Sequence, residues 1–122
     1  MKLELKEIVV GTYLEQLDSF FPEDKFSFGE LITVSVGILN DDGADNFNLF
    51  VCSPEWLKNR NFNDDVWGLY KLIIPKYDSE KIKKLINQKL DELSDNNLGS
   101  SGEKLILEFS RYAQWEFENY VP

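Results

Sequence analysis

Histidine is absent from this 122-residue sequence, which removes the side chain most often used as a general base near neutral pH and the commonest transition-metal ligand. Ser-His-Asp and Cys-His mechanisms are excluded with it. Cys52 is the single cysteine; it ends an apolar alternation beside Ser53, where a helix N-terminus could lower a thiol pKa. With no histidine to take its proton, a buried strand-end cysteine is the better reading. Asp41, Asp42 and Asp45 invite a calcium loop, but such a loop needs alternating ligands, a central glycine and a closing glutamate. Val51 stands where that glutamate would fall in a loop opened at Asn40. Glu4-Leu5-Lys6 has the Glu-x-Lys spacing of some magnesium-dependent nucleases, but no acid precedes Glu4 to complete the set. Gly99-Ser100-Ser101-Gly102 follows no apolar strand and lacks the lysine of a phosphate-binding loop. The sequence therefore offers no catalytic residue, no metal site and no cofactor site, and catalysis is not expected.

What remains is acid beside aromatics. Glu15, Asp18, Glu23 and Asp24 surround Phe20 and Phe21, and Asp41, Asp42, Asp45, Asp64 and Asp65 follow. The net charge is −9, which repels a phosphate backbone, so direct nucleic-acid binding is disfavoured. The charge is uneven: residues 1–65 hold 13 acids against 5 bases, a net of −8, and residues 66–122 hold 9 against 8, a net of −1. Such a surface suits a basic protein partner, steered in by charge and held by aromatic contacts. Each acid taken singly also serves solubility; the asymmetry of the set is what points to binding.

The elements that must carry these residues follow from periodicity. Leu3, Leu5 and Ile8–Val10 predict a first strand ending at Gly11. Tyr13, Leu14, Leu17, Phe20 and Phe21 predict a short helix or turn stopped by Pro22. Phe28, Ile32, Val34, Val36 and Ile38 alternate on one strand face that only Glu30 interrupts, Asn40-Asp41-Asp42-Gly43 supplies a hairpin turn, and Phe47, Leu49 and Val51 bring the chain back. Ser53 as N-cap with Pro54 behind it opens a short helix. A strand is expected between Trp67 and Pro75. Asp78 then caps a helix with an Ile82, Leu85, Ile86, Leu90 and Leu93 stripe, and Ser100 with Glu103 has capping-box spacing for a last helix using Leu105, Ile106, Phe109 and Tyr112.

This order predicts a single α+β domain over 1–122: an antiparallel sheet of about four strands, two longer helices packed on one face and a short helix in mid-chain. The start of the sequence mixes charge with alternating apolar residues where a signal peptide needs a continuous apolar block. No apolar run approaches the ~20 residues that span a bilayer. With one cysteine and no disulfide to form, a cytoplasmic protein that does not enter membranes is expected.

Several blocks, in the same order, resemble the immunity protein 8 family: Phe47-Asn-Leu-Phe-Val-Cys-Ser-Pro-Glu-Trp-Leu57, Val66-Trp67-Gly68, Tyr77-Asp78 and Ser110-Arg-Tyr-Ala-Gln-Trp-Glu-Phe-Glu-Asn-Tyr120. The sequence departs from the family in the late loop, where a tryptophan often stands near Gly102 and Glu103. The resemblance implies a bacterial cytoplasmic protein encoded beside a polymorphic toxin, which it neutralises by binding. It places the family motif on Cys52, Pro54, Trp56, Leu57, Trp67, Trp115, Phe117 and Tyr120, positions expected to be scaffold, with Trp56 and Leu57 pinning the short helix and Trp115 and Phe117 closing the core. The acidic first half makes a basic toxin domain, such as a nuclease, the expected partner. A cytosolic adaptor without a toxin partner, a hydrolase using paired acids and a homodimer through exposed aromatics are the alternatives.

Overall fold

In the computed structural model, residues 1–11, 15–59 and 70–117 are described. Strand β1 (Leu3–Val10) runs antiparallel to β3 (Gly29–Ile38), which runs antiparallel to β4 (Asp45–Cys52). A two-residue strand β2 (Glu15–Gln16) borders β1, and β5 (Lys71–Ile73) borders β4, giving the order β2-β1-β3-β4-β5. A last short strand, β6 (Gln114–Trp115), also pairs with β4, opposite Phe47 and Asn48. The protein is thus α+β with an antiparallel sheet, as the periodicity predicts.

β1 shows how pattern becomes geometry. Leu3 and Leu5 have odd numbers and Ile8 and Val10 even ones, so an unbroken pleat would send the two pairs to opposite faces. The register slips by one residue between Leu5 and Glu7, a bulge at Lys6 that returns Ile8 and Val10 to the core side. Leu3, Ile8 and Val10 are buried, and Leu5 packs against the same cluster. On β3 and β4 no correction is needed: Phe28, Ile32, Val34 and Val36 face Phe47, Leu49 and Val51 across the ladder's inner side, all buried.

Two helices close that side. In α2 (Ser79–Asn96) Asp78 caps the start by accepting from the N–H groups of Glu80 and Lys81, and Ile82, Ile86, Leu90 and Leu93 are buried. Ser94, one position off the stripe, is also buried: its Oγ donates to the Leu90 carbonyl at 2.8 Å and accepts from the Leu3 N–H at 3.0 Å, tying the helix end to the start of β1. α3 (Gly102–Phe109) buries Leu105, Ile106 and Phe109, with Phe109 edge-on to Phe47 at 4.8 Å between ring centroids. Its cap is Ser101, which accepts from the Lys104 N–H; the expected cap, Ser100, lies one residue outside. With Ser101 as the cap, the third residue on is Lys104, and the capping box is not formed.

The opposite side of the sheet is covered at one end by α1 (Pro54–Asn59). Trp56 lies 5.1 Å from the Phe50 ring, and a Cβ on Gly29 would fall 2.4 Å from its indole. Glycine at position 29 is what lets this helix lie against β3. The expected strand between Trp67 and Pro75 is β5, and it runs parallel to β4. Expectations at Tyr13, Leu14, Asp64, Asp65, Trp67 and Tyr120 lie outside the described residues.

Candidate functional site

The acids singled out in the sequence fall into two groups. Glu15, Asp18, Glu23 and Asp24 sit before β3, and Asp41, Asp42 and Asp45 sit in or beside the turn after it. β3 spans about 30 Å at about 3.3 Å per residue; β2 sets Glu15 beside Val10, which pairs with Ile32, so Glu15 lies level with a point about 20 Å along the strand from Ile38. A standard interface of about 800 Å² per partner, centred on one group, would stop short of the other.

At the first end two of the four acids, Asp18 and Asp24, have partners within the chain. Asp18 is ion-paired with Lys83 of α2, and that bond holds its carboxyl below the usual range. Asp24 accepts the Phe26 N–H at 2.9 Å, and the Lys25 and Lys76 ammonium groups lie 5.4 Å and 5.9 Å from the centre of the Phe26 ring. Glu15 and Glu23 are exposed. Phe20 and Phe21, adjacent in sequence, part ways: Phe20 turns inward, edge-on to Tyr77 at 5.9 Å, while Phe21 is 79% exposed. Tyr77 anchors this loop, its hydroxyl donating to the Leu17 carbonyl at 3.2 Å and its N–H to the Lys25 carbonyl at 2.7 Å. Burial, reinforced by the charges of Glu30 and Asp18, pushes the Tyr77 hydroxyl up to about 12.

At the second end a groove opens between the β3–β4 hairpin and α3. It has a volume of about 600 Å³ and an apolar floor that includes Ile38, Ile106 and Trp115. Asp41, Asp45 and Glu103 are among its lining residues, and no lysine or arginine among the described residues lines it. The hairpin is held from within: Asn40 takes a φ of 70°, the Asp41 N–H donates to the Ile38 carbonyl at 2.9 Å, and the Asp41 carboxylate accepts the Gly43 N–H at 3.3 Å. Gly37 passes so close to the turn that a Cβ would meet the Gly43 carbonyl oxygen at 2.2 Å. The Lys6 ammonium stands at the groove's edge, donating to Glu4 at 2.6 Å and to the Asp41 backbone carbonyl at 2.8 Å.

Trp115 bounds the groove, half-buried against the core, and its Nε1–H donates to Asp45 at 3.4 Å. Phe117, expected to share its face, lies beyond the end of β6; it is 47% exposed and meets the Trp115 ring edge-on at 5.5 Å. Cys52 and Ser53 are fully buried, and burial holds the Cys52 thiol above its ordinary value despite Lys71 nearby. Pro54 is exposed at the start of α1, and Trp56 and Leu57 are half-buried. Sequence reasoning missed the groove's Glu103, Ile106 and Leu107 as a surface. The one available signal was Leu107, an apolar residue off the buried stripe of α3 and 52% exposed.

Among the described residues no group of three or more acidic or cysteine side chains could hold a metal ion, and no helix is long and apolar enough to cross a membrane. Searches of curated proteins and of solved structures return no match. The family model for immunity protein 8 matches residues 3–120, nearly the whole chain. On that match the chain belongs to the immunity protein 8 family.

Proposed function

We propose that this protein neutralises a cognate bacterial toxin domain by binding it, without cofactor or turnover. The observation that carries the reading is the family match over residues 3–120. The net charge of −9 supports a basic toxin domain, such as a nuclease, as the partner, since opposite net charges speed encounter. One unpaired cysteine, buried at the end of β4, suits action in the cytoplasm. The acidic residues at the two ends of β3 are the first surfaces to probe: Glu15, Asp18, Glu23 and Asp24 with Phe20 and Phe21, and Asp41, Asp42 and Asp45. Asp64 and Asp65, outside the described residues, belong to the same proposal.

The test is co-expression with the toxin domain encoded beside this chain's gene, followed by size-exclusion chromatography and a count of surviving cells. A stable complex with restored growth supports the immunity role. Absence of both overturns it for that toxin and favours an adaptor with a different partner.

A further inference from the structure

The two acidic ends differ in one respect that bears on binding. At the first end, lysines stand among the acids: Lys83 pairs with Asp18, and Lys25 and Lys76 flank Phe26 beside Glu23, Asp24 and Asp78. At the second end three acidic residues line an apolar groove, and no lysine or arginine among the described residues lines it. The cations near it are already bonded: Lys6 at the groove's edge to Glu4 and to the backbone carbonyl of Asp41, Lys104 to Glu108 at 2.9 Å, and Arg111 to the same Glu108 at 3.6 Å.

Asp41 and Glu103 are exposed and Asp45 is half-buried, so three like charges gathered around one groove act together on an incoming cation. An aromatic ring at the same place adds a face for a guanidinium or ammonium to lie on. Building on the immunity reading, we infer that the groove between the β3–β4 hairpin and α3 receives the toxin, through a segment that presents an arginine or lysine flanked by apolar side chains. The charge goes to Asp41, Asp45 and Glu103, with Asp42 on the exposed turn beside them, and the apolar flanks go to Ile106 and Leu107. A second copy of this chain is a poor occupant, because it would bring acid against acid at a net charge of −9 per chain.

The probe is the adjacent-encoded toxin domain, inactivated in its own active site, with its Kd measured against this protein by surface plasmon resonance. Three variants decide the matter. Asp42→Lys with Glu103→Lys reverses two exposed groove-side acids while sparing Asp41 and Asp45, which hold the turn and Trp115. Glu15→Lys with Glu23→Lys makes the same charge change at the other end, and Leu107→Ser removes the exposed apolar contact. Unchanged thermal melting in each shows that folding is intact.

The expected result is a Kd raised about 100-fold by the groove pair, raised about tenfold by Leu107→Ser and changed less than about threefold by the control pair. Equal effects of the two charge pairs, or none from the groove pair while the wild type binds, overturn the groove and leave the immunity reading standing. So does a self-associated wild type that the groove pair renders monomeric without loss of toxin binding. A wild type that does not bind the domain overturns the immunity reading, and the groove assignment falls with it.

Discussion

Ser53 and Phe28 exchange two hydrogen bonds: the Ser53 N–H donates to the Phe28 carbonyl at 3.0 Å, and the Phe28 N–H donates to the Ser53 Oγ at 3.2 Å. The same Oγ accepts the Trp56 N–H at 3.2 Å, so one buried hydroxyl both extends the β3–β4 ladder and caps α1. Ser53→Ala leaves two amides without this acceptor and should cost about 2 kcal/mol. Urea unfolding measures it, and a loss below about 0.5 kcal/mol would show that the hydroxyl is not needed by either amide.

Gly29 and Trp56 should be energetically coupled. Gly29→Ala places a methyl group against a rigid indole and is expected to destabilise the fold by about 1–3 kcal/mol. In a Trp56→Ala background the obstacle is gone, and most of that penalty should vanish. Additive penalties across the four proteins of this double-mutant cycle would refute the contact.

Tyr77 sets an alkaline limit. Its hydroxyl, raised to about 12, binds its proton more tightly folded than unfolded, where the pKa is about 10. The stability it contributes is fully present below about pH 10 and is lost as the pH climbs through about 12. Tyr77→Phe should remove that part of the alkaline loss, at the cost of the bond to Leu17. Unfolding measured as a function of pH reads the difference; parallel curves for the two proteins would exclude the linkage.

Glu30 gives a linkage of the same sign at the acid end of the range. It interrupts the apolar face of β3, and burial raises its pKa, so its ionised form is penalised in the folded state. Stability from this group improves as the pH falls from above its folded pKa toward the ordinary glutamate value of about 4.3. Glu30→Gln should stabilise the protein at neutral pH, and the gain should disappear in acid. A variant less stable than wild type at neutral pH would mean that the carboxylate is held by a favourable contact.

Association with the toxin should follow charge. Reversing Asp41, Asp42 and Asp45 together is expected to slow association and flatten its dependence on salt. Stopped-flow mixing at several ionic strengths measures both, and an unchanged association rate would remove electrostatic steering from the account.

The local elements of this fold are written in the sequence because each depends on near neighbours. Period-two alternation gives β3 and β4 their inner faces, the 3.6-residue stripe from Ile82 to Leu93 gives α2, and Asp78 and Ser53 cap helices through amides two or three residues away. The family could be named from motif blocks for a related reason: those residues meet fixed local demands, as Ser53 and Pro54 do at a helix start. What the sequence could not supply is the meeting of distant parts. The parallel pairing of β5, the burial of Ser94 against Leu3 and the choice of Ser101 over Ser100 as cap depend on where other elements already lie. So does the fate of the acids: the sequence already sets a strand between the two groups, but only packing brings Lys83 to Asp18 and α3 beside Asp45. Only in three dimensions does α3 come to lie beside the hairpin, leaving one end with its lysines and the other as an apolar groove lined by carboxylates.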